Sequence, residues 1–108
     1  MDRKRVLWDA LTAYQAFCPD CDKERADAFI STVFAQETVT DDFIRIYGSY
    51  LAPVLDFNID RQKALIEDYR RLMEAAGDAP GIRAMMEMQI DRACDATENY
   101  IELYRLAI

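Results

Sequence analysis

The chain has 108 residues, 52% of them hydrophobic and 31% charged, with a formal net charge of −7 and no histidine. That size and mixture describe one folded domain with a core of its own, not a disordered segment. The acidic balance excludes binding to nucleic-acid phosphates or anionic lipid through a basic surface, and the one basic run, Arg3-Lys4-Arg5, is too short to supply one.

Three glycines and three prolines are few, which favours long helices over a turn-rich β fold. A first helix is expected over residues 2–17. Val6, Leu7, Ala10, Leu11, Tyr14, Phe17 and Cys18 recur at the helical period, Asp2 can cap the start, and Pro19 forces the end. A second is expected over residues 21–36, with Asp20 or Asp22 as N-cap and Ala26, Phe29, Ile30, Val33 and Phe34 as its apolar face. Thr40 then caps a third helix, whose first turn holds Asp41 and Asp42, where the helix dipole favours negative charge.

The third helix carries Phe43, Ile44, Tyr47, Tyr50, Leu51, Val54 and Leu55. Pro53 lacks the N–H that would bond to Ser49, so this helix is expected to kink near Pro53 or to break over 49–53. Gly48, costing about 1 kcal/mol against alanine inside a helix, is expected to permit a close helix crossing. Asn58 and Asp60 read as a boundary, C′ and N-cap. The fourth helix then holds Leu65, Ile66, Tyr69, Leu72, Met73 and Ala76 and ends at Gly77. After a turn at 78–81, the last helix starts near Pro80 and carries Ile82, Met85, Met86, Gln89, Ala93, Thr97, Tyr100 and Tyr104. At about 1.5 Å per residue it would be ~35–40 Å long and overhang its neighbours. The expected fold is all-α: a compact single-domain bundle of about five amphipathic helices with short loops.

The motif Cys18-Pro19-Asp20-Cys21 invites a thiol redox or zinc-binding reading. A four-thiolate site needs a second pair, and only Cys94 remains, so zinc would need a carboxylate from Asp20, Asp22 or Asp95. Cys18 closes a helix, where the dipole disfavours a thiolate, and Cys21 is flanked by Asp20 and Asp22. Both cysteines therefore read as structural parts of a helix-to-helix turn. Glu87, Asp91, Asp95, Glu98 and Glu102 form a carboxylate ridge on the last helix. A metal-dependent hydrolase would use such a ridge, but it would need a facing acidic pair, and Arg70 and Arg71 interrupt the acids of the fourth helix. The ridge reads as a solvated face, relieved by the pairs Arg83–Glu87 and Glu102–Arg105. The chain has no glycine-rich phosphate loop and no histidine to serve as a base for a serine or cysteine nucleophile.

No secretory leader is expected, since residues 1–17 lack an apolar stretch, and no apolar run approaches the ~20 residues of a membrane span. Three cysteines are too few for a disulfide framework, which points to a cytoplasmic chain with reduced thiols. Acids gather between Glu37 and Asp60, including Asp41 and Asp42, and Met85, Met86 and Met88 spread round the last helix. Met85 and Met86 lie on the apolar stripe and are expected to fill the core, although methionine surfaces also adapt to partners. The functional expectation is a small acidic protein–protein interaction or regulatory module without catalytic activity or cofactor. Its partner is a protein or a second copy met through the last helix, with Met85, Met86, Met88, Asp41 and Asp42 as contact residues.

Overall fold

The computed structural model describes residues 1–77 and 79–108. Among them are five helices and no strand: α1 (Arg3–Phe17), α2 (Lys23–Ala35), α3 (Asp41–Ile46), α4 (Gly48–Ala76) and α5 (Pro80–Ala107). The fold is an all-α helical bundle. Three side chains start the first three helices as expected. Asp2 accepts from the Arg5 N–H at 3.2 Å, Asp22 from Arg25 at 3.0 Å, and Thr40 from Phe43 at 3.1 Å. Each such cap stabilises a helix by about 1 kcal/mol.

The boundaries between Asp41 and Ala76 differ from expectation. The third helix stops at Ile46, the chain turns at Tyr47, and α4 then runs unbroken through Pro53, Asn58 and Asp60. The expected third helix, kinked near Pro53, is therefore two elements divided at Tyr47, and Pro53 belongs to the second. Gly48 opens α4 directly after the division. A methyl group there would overlap the carbonyl oxygen of Ala107, so only glycine lets the end of α5 cross the start of α4 so closely.

Asn58 explains why no boundary follows. Its side chain is fully buried, and its amide donates to Ala10 O of α1 at 2.9 Å and to Val54 O at 2.8 Å. A residue type favoured at helix ends is here consumed as a tie between α4 and α1.

The core gathers Leu7 and Leu11 of α1, Val33 of α2, Ile44 of α3, Leu51 and Leu55 of α4, and Leu103 of α5, all fully buried. The Phe29 ring joins α2 to α3 and α4, lying 6.1 Å from Phe43, 5.2 Å from Tyr47 and 5.0 Å from Tyr50 between centroids. Phe34, expected on the apolar face of the second helix, is instead exposed.

The molecule measures 49 × 28 × 22 Å, and its radius of gyration is 15.7 Å. A compact domain of this length has a radius near 13 Å. Helix lengths account for the elongation: at 1.5 Å per residue α4 and α5 each reach about 42–44 Å, against about 20–22 Å for α1 and α2. The expected overhang of the last helix is thus shared, because α4 continues alongside α5 and the two make the most extensive helix pairing of the molecule. Gly77 closes α4 with φ 61°, a conformation that suits glycine, and Pro80 takes the first turn of α5. Of the turn expected at 78–81, Asp78 lies outside the described residues. Among the described residues no helix is long and apolar enough to cross a membrane.

Candidate interaction surface

Burial divides α4 and α5 at one level. The last buried residue of α4 is Ile59 and the first of α5 is Ala93, and among the described residues from 60 to 92 none is buried. The far half of α4 and the near half of α5 therefore form a two-helix arm, which borders α1 at its root near Arg61 and Arg92 and extends away from the bundle towards Gly77. The sequence nonetheless keeps the helical apolar period through this arm, in Leu65, Ile66, Tyr69, Leu72 and Met73 on α4 and in Ile82, Met85, Met86, Gln89 and Ile90 on α5.

Two helices share one seam, and apolar side chains flanking that seam stay in water unless a third layer covers them. Half-buried Leu65, Ile66, Tyr69, Met73, Met86 and Ile90 follow the stripe. Leu72 (55%), Met85 (51%), Ile82 (48%) and Met88 (45%) stand well exposed. Met85 thus does not fill the core as its place on the stripe suggested, because no core exists at its level, and Met86 is only half-buried. Leu72 and Ile82 lie on the apolar stripes of their helices, where spacing alone does not tell core from surface. Only knowing how far α1–α3 reach marks them as surface.

Charge separates the same two regions. Residues 60–92 carry six basic and seven acidic side chains, whereas the remainder carries seven basic against thirteen acidic. The arm is nearly neutral, and almost all of the net charge of −7 lies on the bundle. The tip is tied by Arg83, whose Nη1 donates to the Gly77 carbonyl at 3.5 Å. Arg83 is therefore drawn to the carbonyl that ends α4 instead of pairing with Glu87. Among the described residues the expected Glu102–Arg105 pair is likewise not formed; the ion pairs are Arg3–Asp41, Arg5–Asp9, Arg45–Asp42 and Arg71–Asp68.

Asp41 and Asp42 occupy the first turn of α3 as expected. Asp41 is held at 2.7 Å by Arg3, whose guanidinium also donates to the Val39 carbonyl at 3.1 Å. This carboxylate therefore fastens the start of α1 to the loop before α3. Asp42 is more exposed and takes only a 3.4 Å contact from Arg45. The carboxylate ridge of Glu87, Asp91, Asp95, Glu98 and Glu102 is exposed throughout.

Cys18 and Cys21 flank the turn between α1 and α2, where the Cys21 N–H reaches the Cys18 carbonyl at 3.4 Å, and both thiols are free and half-buried. Cys94 sits instead on α5 in a groove with Lys63, Ile66, Glu67 and Arg70. Among the described residues no three cysteine or carboxylate side chains gather closely enough to hold a metal ion. Burial, and after it the neighbouring Cys18, raises the Tyr14 phenol above its ordinary range. Burial also raises Tyr50, against the opposing charge of Arg25, whose guanidinium lies 4.4 Å from the ring centre. In a comparison with known proteins, no family model, no curated protein and no solved structure matches this chain.

Proposed function

We propose that this chain is a small acidic interaction module, cytoplasmic and without catalytic chemistry, and that its arm pairs with the arm of a second copy. The observation that carries this reading is the arm itself: two amphipathic helices with Leu72, Ile82, Met85 and Met88 exposed and no buried residue among those described from 60 to 92. Two such hairpins laid face to face about a twofold axis make a four-helix bundle, the arrangement that covers both apolar faces at once.

Charge supports a second copy as the occupant. Self-pairing brings like surfaces together, and the charges of the arm nearly cancel while the rest of the chain carries a net charge of −6, seven basic against thirteen acidic residues. Size supports a modest affinity. An arm about 25 Å long and about 20 Å wide offers roughly 500 Å² per copy, near the ~1,000 Å² total at which specific interfaces begin. Association is expected to be weak and to depend on concentration.

Sedimentation velocity over about 1 to 300 μM tests the reading. The expected result is a shift from the monomer mass towards twice that mass, abolished by Leu72→Glu or Met85→Glu while circular dichroism stays unchanged. A monomer mass across the whole series overturns it.

A further inference from the structure

A second recess lies at the root of the arm, where α1 meets the middle of α4 and of α5. It has a volume of about 360 Å³, within the ~300–1,000 Å³ of clefts that hold small ligands. It exists because Ala13 and Ala96 are too short to fill the space between three helices. Its wall carries three charges: Arg61 of α4, Arg92 of α5 and Asp9 of α1. Among the described residues, neither arginine has a carboxylate within ion-pair distance, although acids outnumber bases twenty to thirteen in this chain. Asp9 is already engaged by Arg5 at 3.4 Å. The Arg61 guanidinium lies 3.9 Å from the centre of the Phe17 ring, which holds its plane in place and leaves its edge N–H groups to be used.

Tyr100 adds a neutral donor. Its side chain is only 5% exposed, and it lines the recess. Burial and then the nearby Asp9 raise this phenol, so it keeps its proton at neutral pH. The rest of the wall is mixed: Leu65 and the Tyr69 ring offer an apolar side, and Gln62 and Gln89 add neutral amides. Two cations against one anion match a single negative charge, and a planar oxyanion suits guanidinium forks better than a sphere does.

We infer that this recess binds a small monocarboxylate with an apolar body, its carboxylate held by Arg61 and Arg92 and its body laid against Leu65 and Tyr69. This inference does not depend on self-association.

The test is thermal unfolding of the full chain at low micromolar concentration and constant ionic strength, with benzoate, hexanoate or inorganic phosphate added at about 10 mM. A ligand at tenfold its dissociation constant raises the melting temperature of such a domain by about 5 °C or more. The expected result is a rise of that order with benzoate or hexanoate and little with phosphate. By calorimetric titration the Arg61→Gln/Arg92→Gln variant weakens benzoate binding at least tenfold, and Tyr100→Phe, which keeps the ring, weakens it several-fold. No rise with either carboxylate overturns the inference. So does an undiminished rise in the double arginine variant, or phosphate stabilising as much as benzoate.

Discussion

The same two helices run through two environments. Below Ile59 and Ala93 they lie in a layered bundle, where Leu51, Leu55 and Leu103 lose all contact with water; beyond those residues α1 borders them only at the root, near Arg61 and Arg92, and no described residue from 60 to 92 is buried. The sequence pattern hardly changes along the way. Leu55 and Leu72 sit on the same helix with the same apolar spacing, yet one is fully buried and the other is more than half exposed. The difference teaches that amphipathic period reports which face of a helix is apolar, but not whether anything covers that face. What decides coverage is the reach of the neighbouring helices. An apolar stripe that outlasts its cover is then a surface awaiting a partner.

The contrast is sharpest in paired truncations. Leu55→Ala removes a fully buried side chain and is expected to cost about 3–4 kcal/mol, a large share of the 5–15 kcal/mol that holds a domain together. Leu72→Ala on the same helix is expected to stay within about 0.5 kcal/mol in the monomer. Chemical denaturation of both variants at low micromolar concentration measures the difference. Equal losses would mean that the arm is packed as tightly as the bundle. At concentrations where copies associate, Leu72→Ala is expected to lose stability relative to wild type, since dimerisation couples to folding.

Gly48 comes next. In Gly48→Ala the added methyl meets the Ala107 carbonyl, a backbone group that cannot swing away as a side chain can. Overpacking of this kind costs about 2–3 kcal/mol, or a fall of roughly 10–20 °C in melting temperature. The effect belongs to the bundle, because this crossing anchors the end of α5 to the start of α4. Stability retained within about 0.5 kcal/mol would mean that the crossing opens at little cost.

The positions where sequence reasoning succeeded and failed follow the same division. Caps were legible because they are local: Asp2, Asp22 and Thr40 each bond to an N–H three residues on. Gly48 was legible as a close crossing because a glycine inside a helix pattern has few other uses. Asn58 was not, because the same side chain that ends helices can instead bond to a carbonyl 48 residues away, as it does with Ala10. The misplaced boundary at Asn58 and Asp60 then concealed that α4 is long enough to accompany α5. Of the contact candidates, Met88 lies off the apolar stripe and was within reach of sequence reasoning as adaptable surface, whereas Met85, Leu72 and Ile82 look like core residues until the arm is seen. The unpaired Arg61 and Arg92 leave no trace in spacing, since their meeting depends on the approach of α4 to α5.

A smaller effect is expected at the tip. Gly77 holds φ 61° and a Cβ there would meet open space, so Gly77→Ala strains the backbone without any clash. The cost is expected near 1 kcal/mol. The arm stands apart from the core, so the strain should appear as faster amide exchange around residues 70–85 more than as a lower melting temperature. Uniform loss of protection through α1 and α2 would show that arm and bundle open as one unit.

The smallest lever is pH, and it acts on the bundle side. Tyr14, Tyr50 and Tyr100 are each raised above the ordinary phenol value of 10.0, in every case chiefly by burial. An unfolded phenol ionises near that ordinary value, while its buried counterpart still holds its proton. Above about pH 10 the unfolded chain therefore binds fewer protons than the folded one, and stability must fall as pH rises. The contribution of these phenols is complete below pH 10 and is lost as pH climbs through their raised folded values. A melting series from about pH 8 to 11.5 is expected to bend downward near pH 10. Tyr100→Phe, which cannot ionise, is expected to soften the bend, and Leu72→Ala on the arm to leave it unchanged. A bend of the same depth in Tyr100→Phe and in the triple phenylalanine variant would assign the alkaline loss to groups other than the buried phenols, and with it remove pH as a way to weaken the bundle while sparing the arm.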